Sequence, residues 1–285
     1  MVERNGGAAR FVVGVDSSQE AREALDWARR VAEPGDDIAV VHAWQLPVVT
    51  GYDMVVTGDP EEIERLAKEG LTEYVAAVDD DRLVPVVARG HAGRAVCDEA
   101  DRRDAEMIVV GHRGDSRVSM MLGSTASYVM HHTERPIVIV RGEPTDSLRE
   151  VVVGVDAHDL TETGENESVR ALRWAYGLKG VGRVRVAHAW FLPALAVGMF
   201  AGAATDMEAM DASARASIDL VVDAAGPAPE GVEVVTDVIR GTPPFALIEA
   251  SRTADLVVVG SRGRGGFSGL VLGSTSAAVA AHSHA

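Results

Sequence analysis

The sequence predicts an α/β chain of two tandem, doubly wound domains. Each is built on a parallel sheet, with five strands in the first and four in the second. Three observations carry this. Apolar, β-branched runs alternate with amphipathic stretches, the pattern of strands covered on both faces by crossover helices. Five sequence blocks recur in the same order in the two halves of the chain. A sixth block, the run Pro136–Val140 led by a proline, has no match in the second half.

In the first half, Phe11–Val15, Ile38–His42, Val84–Ala88, Met107–Val110 and Pro136–Val140 read as strands. SQEAREALDWARRVAE, after the first, and PEEIERLAKEGLTEYVAAVDD, before the third, repeat their apolar residues at helical spacing. AVCDEA reads as a helix face with Cys97 as a small buried hydrophobe. FVVGVD at Phe11–Asp16 returns as VVVGVD at Val151–Asp156, and EALDWA at Glu23–Ala28 as RALRWA at Arg170–Ala175. VVHAWQLP returns as RVAHAWFLP, MIVVGHRG as LVVVGSRG, and LGSTAS as LGSTSA. The duplicated unit is about 140 residues long, an ordinary domain size. The expected division is 1–142, a polar linker at 143–150 within GEPTDSLRE, and 151–285. Without a match to Pro136–Val140, Leu256–Val259 is expected at an apolar sheet edge. The two domains are expected to pair within the chain, and a homodimer is a further expectation.

The formal net charge of −16 argues against broad nucleic-acid binding, which needs a basic face, and discourages contact with anionic membranes. A single cysteine allows no internal disulfide and fits a reducing, cytoplasmic setting. MVERNGGAARF lacks the apolar core of a signal peptide. The longest apolar stretch, Phe191–Ala204, is too short to span a bilayer and is broken by Pro193, Gly198 and Gly202. It reads as a loop and helix entry, or as a patch facing a partner.

In doubly wound sheets, ligands sit beyond the carboxyl ends of the strands at the topological switch point. The run after Val259 is rich in glycine there: Gly260, Gly263, Gly265, Gly266 and Gly269. Successive backbone amides in such a loop can form an anion-binding nest. Gly273, Ser274 and Thr275 then open a helix, whose free amides and hydroxyls suit a phosphate. Arg262 and Arg264 could add charge-assisted contacts. The same residues also read as a glycine loop before an ordinary capped helix. No Gly-Lys-Ser/Thr follows, and the loop comes after a late strand, so neither common nucleotide fingerprint applies.

In the second half the spacing is Gly260, two residues, Gly263, nine residues, then Gly273-Ser274, and GVD, HAW and GST occur in both halves. Here the chain resembles the universal stress protein family in its tandem form, in the subfamily that carries an ATP signature. The resemblance covers nearly the whole sequence. It implies flavodoxin-like sheets and an ATP cleft, with Mg2+ as a possible companion of the nucleotide. Carried over residue by residue, it implies Gly154, Asp156 and Ala189 around the adenine. It implies Gly260, Arg262, Gly263, Arg264, Gly273, Ser274 and Thr275 around the ribose and phosphates. The first-half counterparts are Gly14, Asp16, Ala43, Gly111, Arg113, Gly114, Gly123, Ser124 and Thr125. Each aspartate also reads simply as a helix cap or strand-end turn residue.

The halves depart from the pattern in different places. Only eight residues separate Gly114 from Gly123, and Asp115 stands where the second half has Arg264. A carboxylate beside a triphosphate costs on the order of 1 kcal/mol or more. Arg113 and Arg117 partly offset it, and the second signature is the stronger. Asp16 precedes Trp27 by 11 residues but Asp156 precedes Trp174 by 18. The added segment, with Asp159, Glu162, Glu165 and Glu167, reads as a solvated loop or a lid. His131, His132, His282 and His284 close helices, where a cation suits the dipole. His42 and His188 sit at strand ends, packed or lining the cleft. An efficient phosphoryl-transfer site needs a positioned base and metal ligands, and Asp115 is the only carboxylate near the phosphate loops. The expectation is a nucleotide-dependent regulator or sensor in stress response, with no catalytic or metal-ligating residue assigned. A scaffold that binds no nucleotide and a slow ATPase are the alternatives.

Overall fold

The computed structural model describes residues 10–46, 59–114, 122–142, 147–157, 160, 164–192, 207–261 and 272–285. They fall into two compact units, 10–142 and 147–285.

In the first unit, β1 (Arg10–Val15), β2 (Asp37–Trp44), β3 (Leu83–Arg89), β4 (Met107–Gly111) and β5 (Ile137–Val140) form one sheet. Every pairing is parallel and the order is β3-β2-β1-β4-β5. The connections reverse direction between β1 and β4, which makes that junction the switch point. Helices α1 (Gln19–Val31), α2 (Pro60–Ala76), α3 (Ala92–Arg103) and α4 (Ser124–His132) connect and cover the strands. Local chemistry sets their ends. The Ser18 hydroxyl accepts the Ala21 N–H at 3.2 Å and starts α1. Asp59 caps α2, with Pro60 in its first turn. Asp104 ends α3 in the left-handed region at φ 52°.

In the second unit, β6 (Glu150–Gly154), β7 (Arg183–Trp190), β8 (Glu233–Arg240) and β9 (Leu256–Val259) pair in the order β8-β7-β6-β9, again all parallel. Its helices are α5 (Glu167–Tyr176), α6 (Met207–Ala225), α7 (Pro243–Ala250) and α8 (Ser274–His282). Leu148 is already buried in this unit's core, just before Glu150 opens β6. The five- and four-stranded sheets are those the sequence predicts.

Strand alternation builds two cores per sheet. In β6, Val151 and Val153 join Val169, Leu172, Ile218 and Val221 of α5 and α6. Val152 points the other way and joins Leu247 and Ala250 of α7 and Val279 of α8. In the first unit, Val12, Ala39, Val41, Ile108 and Val110 pack with Val96, Cys97, Ala100, Ala126 and Val129. All five residues of β4 are buried, but only Val258 of β9 is. Among the described residues, β4 lies between two strands, whereas β9 pairs with β6 alone.

That difference should be visible in backbone exchange. The Ile108 and His112 N–H groups donate to the Pro136 and Val140 carbonyls, each at 2.9 Å. Their counterparts, Val257 and Ser261, should exchange faster in the chain of residues 1–285. Hydrogen exchange resolved to single amides checks this.

Candidate functional site

In the first unit the site begins where β1 ends. The Asp16 carboxylate accepts the Ser18 N–H at 2.9 Å and also the Ser18 hydroxyl. It thus shapes the turn that launches α1, while its side chain stays exposed. His42 Nδ1 lies 3.2 Å from the Val15 carbonyl, so with its proton there the imidazole donates across to the end of β1. Ala43 follows, one step past the last β1–β2 pair, Val15↔His42, and is half-buried.

Beside this turn, β4 ends at a close approach. A Cβ at Gly111 would sit 2.7 Å from the Glu20 carbonyl oxygen and 2.8 Å from its carbon. Glycine therefore lets the first turn of α1 rest on the end of β4. The chain leaves through His112, Arg113 and Gly114. It returns at Gly123, whose N–H donates to the His112 carbonyl at 2.8 Å. A Cβ at Gly114 would lie 2.5 Å from Asp16 Oδ2, which puts the loop backbone against the aspartate. Gly123 has no side chain to cap α4, so the first amides of that helix lack the usual side-chain acceptor. Ser124 is exposed and Thr125 half-buried. Gly14 serves helix packing instead, since a Cβ there would meet Val96 Cγ2 of α3 at 3.0 Å.

The second unit repeats the arrangement with other atoms. A Cβ at Gly260 would lie 2.7 Å from Glu167 Cβ, again the first turn of the following helix. The Gly273 N–H donates to the Ser261 carbonyl at 2.7 Å, and the Ser276 hydroxyl to the Gly260 carbonyl at 2.6 Å. Gly273 caps α8 without a side chain, Ser274 is exposed and Thr275 half-buried. The Asp156 N–H donates to Ser168 Oγ at 2.8 Å, and Asn166 Nδ2 donates to the Asp156 carbonyl at 3.0 Å. Asn166 Oδ1 also accepts the Val169 N–H at 2.9 Å and caps α5. The added segment thus ends docked on Asp156, with Glu165 paired to Arg173 and Glu167 to Arg170. His188 repeats the bond of His42, with Nδ1 2.8 Å from the Val155 carbonyl, and Ala189 beside it is half-buried. Gly154 packs like Gly14, against Leu247.

Several expected residues lie outside the described set: Arg262, Gly263 and Arg264, with Gly265, Gly266 and Gly269, and in the first unit Asp115 and Arg117. Asp159, Glu162 and most of the apolar stretch 191–204 do so as well. The structure brings Asp16, Gly111, Gly114, Gly123 and Thr125 to one sheet end, and Asp156, Gly260, Gly273 and Thr275 to the equivalent end of the second unit.

His112 is buried, and its Nε2 accepts the Arg113 Nε–H at 2.7 Å while Nδ1 faces the Val140 carbonyl at 3.3 Å. Those partners keep the neutral tautomer with its proton on Nδ1. Burial first, then the charges of Arg141 and Arg113, lowers its pKa from the ordinary 6.5. Burial and the charge of Arg113 also lower that of Arg141. Ser261 stands in the place of His112 in the second unit, where its hydroxyl donates at 3.4 Å to Glu167 Oε2, the counterpart of Glu20. Cys97 is buried in the α3 face. Burial, reinforced by Asp101 and Asp98, pushes its thiol up to about 11, which disfavours the reactive thiolate.

Sequence pattern alone does not single out Glu20 and Glu167, Ser168 and Ser276, Arg141, or the specific bonds of His42 and His188. The repeated HAW motif is the available signal for the histidines. Arg141 is signalled only by its place just after a terminal strand. Each glutamate needs the helix-to-strand contact to become visible.

The same turn, close approach and helix start recur in both units. A profile of the universal stress protein family matches residues 8–141 and again 147–285. The chain belongs to this family. A universal stress protein of Mycolicibacterium smegmatis is 31% identical over 284 residues, covering 95% of this chain and 92% of that one. One from Mycobacterium tuberculosis is 29% identical over 292 residues, covering 95% and 92%. In fold, the chain is similar to a universal stress protein of Archaeoglobus fulgidus, with a TM-score of 0.61 at 20% identity over 96% of this chain and 95% of that one. Among the described residues, no helix of this universal stress protein is long and apolar enough to cross a membrane.

The close approaches have a measurable consequence. Gly111→Ala and Gly260→Ala should each cost about 1–3 kcal/mol of stability by overpacking. Gly111→Ala should cost more, since its clash is with backbone; urea titrations of both variants check this. His112 should make stability depend on pH. Neutral in the folded state, it contributes stability that is complete above about pH 6.5. That stability is lost as pH falls toward the lowered folded value, because the unfolded chain takes up the proton first. His112→Asn should flatten this dependence in urea titrations between neutral and mildly acidic pH.

Proposed function

We propose that this universal stress protein binds ATP at the carboxyl ends of its sheets and acts in stress response as a nucleotide-dependent regulator, not as an efficient catalyst. The observation that carries the reading is the convergence, in the second unit, of the Gly260–Ser261 strand end, the Gly273 helix start and the Asp156 turn. Helix starts with uncapped amides favour anions through both hydrogen bonding and the helix dipole. In this reading Asp156 and Ala189 flank the adenine, as Asp16 and Ala43 do in the first unit. Gly260, Gly273, Ser274 and Thr275 hold ribose and phosphates, and Arg262, Gly263 and Arg264 complete the cradle. Mg2+ accompanies the triphosphate. The first site is the weaker because Asp115 replaces an arginine in its loop.

A regulator needs ATP to bind one conformation better than another, since a ligand shifts an equilibrium only by its differential affinity. Pairing of the two domains within the chain, or of two chains, would be the state so biased. The proposed setting is the cytoplasm.

Mass spectrometry of small molecules released from the purified protein should find an adenine nucleotide. Calorimetry with ATP should show binding that Gly273→Val abolishes at the second site, while Gly123→Val has the smaller effect. If the wild-type chain neither carries nor takes up an adenine nucleotide, the scaffold reading replaces this one.

A further inference from the structure

We infer that the second unit carries a further ligand site, a cavity between β8 and α7 that takes a small organic cation: an amine beside a carbonyl on an apolar body. None of its lining residues belongs to the proposed nucleotide site. The cavity measures about 460 Å3, within the range of small-molecule sites, and every residue lining it is among those described. Arg185 and Asp237 line it together with Ile239, Phe245, Ala246 and Glu249.

The first unit shows the same face without charge. Ala39 pairs with Val12 as Arg185 pairs with Val152. Val86 pairs with Val41 as Asp237 pairs with Ala187. Ala39 and Val41 are buried with Val96, Cys97 and Ala100 of α3, and Val86 packs on the same cluster. α3 has 12 residues and α7 has 8, so the second unit covers this face with a helix about one turn shorter. Two charged side chains thus stand where the sister unit has apolar core.

Those two side chains leave a donor and an acceptor unmet. Only 21% of the Arg185 side chain is exposed. Its Nη2 pairs with Glu150 Oε1 at 2.7 Å and reaches Thr253 Oγ1 at 3.3 Å. Its Nε is buried and, among the described residues, has no hydrogen-bond partner. A buried donor without an acceptor is costly, and a ligand oxygen would relieve it. The Asp237 carboxylate stops 3.6 Å from Arg185 Nη1, beyond hydrogen-bond reach. The other charges lining the cavity are matched: Arg185 by Glu150, Arg240 by Asp211 and Glu249 by Arg252. The charge of Asp237 is left in excess, so the cavity favours a cation.

The apolar wall completes the description of the ligand. Phe245 and Glu249 stand one turn apart on α7. The corresponding positions of α3, Arg94 and Asp98, pair with each other. The second unit instead presents Phe245, 63% exposed, beside Ile239 and Ala246. An ammonium on Asp237, a carbonyl oxygen on Arg185 Nε and an apolar body along Phe245 satisfy all three features at once.

The probe is phenylalaninamide, which carries an ammonium, an amide carbonyl and an aromatic ring. Added at millimolar concentration to the chain of residues 1–285, it should shift the backbone amide NMR signals of Asp237, Ile239, Phe245 and Ala246. The signals of Val86 and Ala88, at the matching positions of the first unit, should stay in place. N-acetylphenylalaninamide, which lacks the charge, should bind about tenfold or more weakly. Asp237→Asn, which keeps the shape of the side chain, should weaken phenylalaninamide to the same degree. Asp237→Val, which restores the residue type of the first unit, should weaken it as much, so the test does not hang on one variant. Three results would overturn the inference: no shift at the four amides with the probe, equal binding of the acetylated compound, or undiminished binding by a folded Asp237 variant.

Discussion

The parallel pairing of β1 with β4, and of β6 with β9, is the contact on which each unit depends. It joins strands far apart in sequence: Phe11 meets Met107, and Val151 meets Leu256. Closing such a long loop costs entropy before any contact offsets it. The core supplies the offset through buried valines and isoleucines on both faces of the strands. Once the pair forms, the turn at the end of the first strand and the loop at the end of the fourth must lie side by side. The aspartate, the glycines and the Gly-Ser-Thr helix start then share one end of the sheet, though they come from separate stretches of the sequence.

The close approach at Gly111 and Gly260 depends on the same pairing. Each glycine rests on the first turn of the helix that leaves the neighbouring strand, at Glu20 and Glu167. The return bonds from Gly123 to His112 and from Gly273 to Ser261 close the loop from the other side. Strand end, helix start and returning helix are joined by one set of backbone contacts. The side chains around it can therefore differ between units. The first has the buried His112 where the second has Ser261, while Glu20 and Glu167 hold the same place in both. The frame is held by backbone and aliphatic packing, so it tolerates an imidazole at this place in one unit and a hydroxyl in the other.

The asymmetry of the sheets is a separate matter of burial. A fifth strand encloses β4, and its five residues lose solvent contact. β9 is equally apolar but, among the described residues, pairs on one side only, and its surface is only partly removed from water. Local composition alone does not distinguish these two environments.

Much of the fold was legible from sequence because it rests on periodicity and repetition. The alternation of β-branched runs with amphipathic stretches determined an α/β sheet, and the five recurring blocks determined two copies of it. Every first-half run read as a strand is one, give or take a residue or two, because continuous Val/Ile runs have few other stable fates in a buried sheet. The glycine spacing likewise marked where each strand would meet a helix. The contacts that turn these residues into a site were decided only by tertiary structure. Asp16 accepts a bond from Ser18, whereas Asp156 has its backbone held by Ser168 and Asn166. His42 and His188 reach across to the end of a neighbouring strand, and the charge of Arg141, just after β5, helps to lower the pKa of His112. These are long-range placements. A linear pattern records which residues recur, but which atoms meet depends on strand order, register and the angle at which each helix returns.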